Sequence, residues 1–172
     1  MPVYALGDLV PDIDPTAYVH PDAVVIGRVV IGPDASIWPG VVLRGDGNDI
    51  VVGAGTNIQD GTVVHVGDRL PTRIGAGCTV GHLAHLESCV VRDGALVGSH
   101  AVVLPGAVIG AGALVGASAL VPRDFVVPPR TVAVGVPVRI RDIPPDADYL
   151  RVNAERYVEQ ARRYRTSLRR ID

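Results

Sequence analysis

The stretch VRDGALVGSHAVVLPGAVIGAGALVGASALVPRDFVV, residues 91–127, carries an aliphatic residue at every sixth position: Val91, Val97, Val103, Ile109, Val115, Val121 and Val127. The same beat runs earlier in the chain through Val19, Val25, Ile31, Ile37 and Leu43, then Val52, Ile58 and Val64, then Ile74, Val80 and Leu86. Val, Ile and Leu make up about a third of the residues, yet they fill every one of these positions. A helix buries every third or fourth residue and a strand every second, so a period of six suits neither alone. It suits a short strand and a turn, repeated, with one inward aliphatic per repeat. Gly, Ala, Asn and Asp crowd the turn offsets, as in Ile31-Gly32-Pro33-Asp34-Ala35-Ser36, where small residues permit sharp corners and positive φ. Three repeats close one triangular coil, and coils stack one strand spacing apart, about 4.8 Å. The expected fold is all-β: a parallel β-helix of hexapeptide repeats over residues 1–135, with residues 136–172 forming a connector and a C-terminal α-helix that packs back on it. Handedness does not follow from the beat.

The composition agrees. Gly 20, Pro 14, Phe 1 and Trp 1, with 48% hydrophobic residues, describe a turn-rich, valine-packed chain. A mean hydropathy of +0.30 argues against disorder as the source of the Gly and Pro. The net charge of -2 points to neither nucleic acid nor an anionic membrane as partner. The start, Met1-Pro2-Val3-Tyr4, has no basic segment before an apolar stretch, and no run reaches membrane-spanning length. Two cysteines, Cys78 and Cys89, without a secretion signal predict a reducing cytoplasmic location and no disulfide scaffold.

The beat breaks three times. The spacing from Leu43 to Val52 is nine positions, so Arg44 to Asp49 is expected to bulge outward; that from Val64 to Ile74 is ten, which makes a loop of Val66 to Pro71; that from Leu86 to Val91 is five. Past Val127 the repeat decays through Pro128-Pro129. Asp146 to Arg170 reads as a helix with Leu150, Ala154, Tyr157, Ala161, Tyr164 and Leu168 on one face.

Equal offsets in successive coils stack, so the beat is a ruler. Arg44, His65, Glu87 and Leu104 form one column, and Asp60, His82 and Ser99 another. His65 and Glu87 are thus one coil apart on one face and can converge on a metal ion. His82 lies around a corner, where it could reach the same point only from a neighbouring copy. The ruler therefore points to a metal site shared between subunits of a trimer. His20 and His100 have no assigned role.

The segments Leu43-Arg44-Gly45-Asp46, Thr56-Asn57-Ile58-Gln59-Asp60-Gly61, Val64-His65 and Val80-Gly81-His82-Leu83-Ala84-His85-Leu86-Glu87-Ser88-Cys89 resemble the γ-class carbonic anhydrase family. The C-terminal Asn153-Ala154-Glu155-Arg156-Tyr157-Val158 joins that resemblance. It implies a left-handed β-helix homotrimer with a zinc, iron or cobalt ion at each subunit interface. There a metal-bound hydroxide would hydrate carbon dioxide reversibly to bicarbonate. It further implies that His65 and His82 are metal ligands and that Arg44 and Asp46 form an interface ion pair. Asn57 would lie near the interface, Gln59 and Asp60 would orient the nucleophile, and Tyr157 would approach from the helix. The family places a third His where this chain has Glu87, with a new imidazole, His85, two residues before. Glu87 as ligand removes one unit of net charge from the site and weakens the hydratase. His85 is the alternative third donor, at a different offset of the coil. The remaining readings are a non-catalytic trimeric scaffold with no metal, and a hexapeptide acyltransferase or thioesterase with a His as base. No basic cluster near His65 or His82 marks a coenzyme A phosphate site.

Overall fold

The computed structural model describes residues 2–172. The six-residue beat emerges as short strands that turn a triangular prism, with one helix, Ala147–Ser167, laid along it. All pairings between successive coils are parallel and in the register the beat demands. Leu43 pairs with Val64, Val64 with Leu86, and Leu86 with Val103; on another face Ile58 pairs with Val80 and Val80 with Val97. Seventeen of the eighteen beat residues are buried, and Val19, near the N-terminal end of the stack, is partly so. The chain is a left-handed β-helix. No helix is long and apolar enough to cross a membrane.

A second inward series sits two residues before the first. Ala23, Ala35, Cys78, Ala84, Cys89, Ala95, Ala101, Ala107, Ala113 and Ala119 are all buried there, mostly small side chains at the corners of the coil, and the larger Val29, Val41 and Ile50 fill the same offset toward the N-terminal end. Thr56, Thr62 and Thr72 take the same offset and are fully buried. Their hydroxyls donate to the carbonyls of Gly75, Gly81 and His65 at 2.6, 2.9 and 2.8 Å, so none of these three buried hydroxyls is stranded. The beat also runs past its apparent end: Ala133 is fully buried and pairs with Val115, and Arg139–Arg141 then closes the last coil antiparallel to Val132–Val134.

The first break differs from expectation. Arg44 to Asp49 is no detached bulge but part of one continuous strand, Val42–Val52, that rounds a corner beside Val24–Ile31. The register of that pair shifts between Gly27 and Val29, which absorbs the extra residues. Close approach makes this possible: a Cβ on Gly27 would stand 2.4 Å from the Gly45 carbonyl oxygen, and one on Gly45 2.5 Å from that of Arg28. Both faces that meet at this corner are consequently joined in one sheet, while the third is a separate sheet.

The helix packs on that third face, against Tyr18–Val19, Ser36–Ile37, Asn57–Ile58 and Thr79–Val80. Asp146 caps its first turn by accepting from the Tyr149 N–H at 3.0 Å. Leu150, Ala154 and Ala161 are buried beneath it. Four of the seven aromatic residues gather there: Trp38 lies 5.5 Å from Tyr157 and from Tyr18 and 5.1 Å from Tyr164, ring centre to ring centre. The helix is shorter than the pattern predicts. Leu168 is the C-cap, extended and about half exposed, and in the last turn Arg165 donates to the Thr16 and Pro15 carbonyls at 2.6 and 3.1 Å.

Candidate metal and hydratase site

The strand Val63–His65 buries Val64 and turns His65 outward, and His85–Glu87 does the same around Leu86. Glu87 is in register with His65, and Arg44 flanks His65 on the other side. His65 therefore stands between two carboxylates. Its Nε2 is 3.0 Å from Asp46 Oδ1 and its Nδ1 is 3.9 Å from Glu87 Oε1. Arg44 holds the other oxygen of Asp46. Partial burial opposes ionisation of Asp46, but the hydrogen bonds from Arg44 and His65 outweigh it and hold the carboxyl below its ordinary 3.8.

This half-set fits a zinc-type ion. Donors 2.0–2.1 Å from a tetrahedral ion stand about 3.3 Å apart, which a small rotation of Glu87 reaches from 3.9 Å. A ligating imidazole commonly gives its other N–H to a carboxylate, which fixes the tautomer. Asp46 supplies that partner, so the Nδ1 lone pair points toward Glu87. Two imidazoles and one carboxylate form a known zinc donor set.

His82 is at the turn between the third face and the His65 face. Its Nδ1 is 3.0 Å from Asp60 Oδ2, and both side chains are about half exposed. Beside it a groove of about 370 Å³ is lined by Gln59, Thr79, Ser99, Asn153 and Tyr157. Gln59 is buried and held there: its Nε2 donates to Asn57 Oδ1 at 2.9 Å, and Asn57 Nδ2 donates to Thr79 Oγ1 at 2.9 Å. Asn153, from the helix, donates to the same Thr79 oxygen at 3.0 Å. Burial, then the Asp60 charge, push the Tyr157 phenol up, which keeps it a neutral O–H donor.

The candidate residues thus fall into two groups on one chain. Arg44, Asp46, His65, His85 and Glu87 gather on one face; Asn57, Gln59, Asp60, His82 and Tyr157 gather around the corner. Among the described residues, no three His, Cys, Asp or Glu side chains of one chain converge enough to hold a metal ion. Thr79 and Asn153 had no role in the sequence reading. The signal for Thr79 was its offset: Ser36, Asn57 and Thr79 share it as a polar column, while Leu96 and Leu114 continue it as apolar.

Stacked coils, a closing helix and two separated imidazole–carboxylate pairs define a hexapeptide-repeat β-helix protein of the γ-carbonic-anhydrase-like kind. Residues 12–45 match the family described as bacterial transferase hexapeptide (six repeats). The carnitine operon protein CaiE of Citrobacter koseri is 41% identical over 170 residues, 98% of this chain and 86% of its own length. The mitochondrial gamma carbonic anhydrase 2 of Arabidopsis thaliana is 52% identical over 103 residues, 56% of this chain and 37% of that protein. A solved structure, a hexapeptide transferase family protein from Anaplasma phagocytophilum, superposes with a TM-score of 0.91 at 38% identity, covering 95% of this chain and 98% of its own. The chain belongs to the hexapeptide-repeat family that includes CaiE and the γ-class carbonic anhydrases.

Proposed function

We propose that this protein is a γ-carbonic-anhydrase-like metalloprotein that hydrates carbon dioxide reversibly at the interfaces of a homotrimer. The observation that carries this reading is the split site. His65 points Nδ1 at Glu87 with Asp46 behind it, and His82 is braced by Asp60 at a different corner. His65 and Glu87 of one subunit and His82 of a neighbouring subunit would together hold the ion. A bound zinc, iron or cobalt ion would supply a Lewis acid that brings the pKa of water toward neutrality. Asp46 and Asp60 keep the two imidazoles in one tautomer and orientation. Gln59, fixed by Asn57, Thr79 and Asn153, presents its amide oxygen as a preset acceptor. Tyr157 keeps its proton and can donate to a substrate oxygen. Glu87 adds a negative charge where the family has an imidazole, and so makes hydration slower.

Stopped-flow hydration by zinc- and iron-loaded protein, set beside His65→Ala, tests the reading. A rate that His65→Ala leaves unchanged overturns it, as does a monomer by analytical ultracentrifugation. Restoring the family residue with Glu87→His should raise the rate. A second reading, acyl transfer, draws on the similarity to the Anaplasma hexapeptide transferase family protein. Saturable coenzyme A binding by calorimetry would favour it. Metal-free protein that neither hydrates carbon dioxide nor binds coenzyme A would favour a scaffold.

A further inference from the structure

Replacing a rigid imidazole by Glu87 creates a positional difficulty. The backbone at this point is fixed: Leu86 is fully buried, and the Ser88 N–H donates to the His65 carbonyl at 3.2 Å. The Glu87 side chain, in contrast, has three rotatable bonds and is about one-third exposed, so nothing in the strand itself directs one oxygen at His65. His85 is the neighbour able to do so. Residues 85 and 87 alternate onto the same outward face of one strand. His85 Nε2 lies 3.6 Å from Glu87 Oε2, while Glu87 Oε1 faces His65. In its own column His85 is flanked by Val63 and Val102, which offer its ring no polar partner. The carboxylate is therefore bracketed by two imidazoles, one at each oxygen.

We propose that His85 is a positioning residue that holds Glu87 in one rotamer by engaging Oε2, so that only Oε1 is presented to an ion at His65. The two changes relative to the family pattern, Glu87 and His85, then form one unit: the flexible ligand brings its own brace. This rests on the metal reading above. The His85 side chain is outward-facing and about two-fifths exposed, so its replacement spares the core.

Cobalt(II) binding to the full-length protein tests the proposal. Competition against a chelator should show His85→Ala weaker by about 10–100-fold, the range for losing a residue that orients a ligand. His85→Gln, which restores an N–H donor, should recover most of the loss. The visible cobalt absorption of His85→Ala should weaken, as a freed Glu87 binds through both oxygens and raises the coordination number. Unchanged affinity and spectrum in His85→Ala, with binding lost in His65→Ala, would overturn the brace and leave the metal centre standing. So would loss in His85→Ala as complete as in His65→Ala while Glu87→Ala still binds, since His85 would then be the ligand. Wild-type protein that binds no cobalt would overturn both readings.

Discussion

Gly81→Ala adds one methyl group between two coils beside His82, and its effect can be worked out from the spacing. A Cβ at Gly81 would stand 2.6 Å from the Ser99 nitrogen and 2.9 Å from the Gly98 carbonyl carbon, both backbone atoms. Contacts of this kind settle at about 3.5–4.0 Å, so the coils would have to part by roughly 1 Å. The Gly81 N–H donates to the Val97 carbonyl at 2.7 Å, and the His100 N–H to the His82 carbonyl at 2.9 Å. Parting by that amount takes both beyond hydrogen-bonding reach. At about 1–3 kcal/mol for each of the two hydrogen bonds broken, the expected loss is about 2–6 kcal/mol. Gly77→Ala is the control. It has φ +61, but no heavy atom lies within 4 Å of its would-be Cβ, so its cost is the left-handed backbone penalty alone, about 1–2 kcal/mol. Urea unfolding followed by circular dichroism, at one fixed protein concentration, measures both. If Gly77→Ala proves as costly as Gly81→Ala, close coil contact is not what limits residue size at these turns.

Tyr18 is 5% exposed and its hydroxyl has no partner among the described residues, so Tyr18→Phe should be neutral or stabilising by up to about 1 kcal/mol in thermal melts; a clear loss would reveal a partner. Burial pushes the Cys78 and Cys89 thiols up to about 11 and about 12. Native protein should therefore resist thiol reagents at pH 8. Above pH 9 the unfolded chain releases thiol protons that the folded chain retains, so stability should fall as pH rises from 9 toward 11; a flat profile there would contradict the burial. The Asp46 carboxyl should titrate below 3.8 by NMR, and Arg44→Ala should move it upward; no movement would mean the Arg44 contact is not formed in solution.

Much of the site could be read from the chain because the beat converts sequence distance into height along the prism. His65 and Glu87 are 22 residues apart, yet the register sets them opposite each other. The same reasoning placed Asp60 above His82, where the structure finds them 3.0 Å apart. It failed where residues meet without sharing a column. Asn153 reaches Thr79 across 74 residues, from a helix whose seat on the third face no repeat encodes. Asp46 reaches back to His65 from a strand whose extra residues were expected to point away.

The six-residue aliphatic pattern determined, unaided, the coil and the register, because burying the beat residue of every repeat stacks equal offsets over one another; the hand of the coil did not follow from it. Tertiary structure alone decided the small second series at the corners, the continuous strand Val42–Val52 and the face that receives the helix. Each depends on how much room is left once the coils are stacked. Glu87 belongs with these: its backbone position follows from the beat, but that its two oxygens lie 3.9 Å from His65 and 3.6 Å from His85 is seen only in the structure.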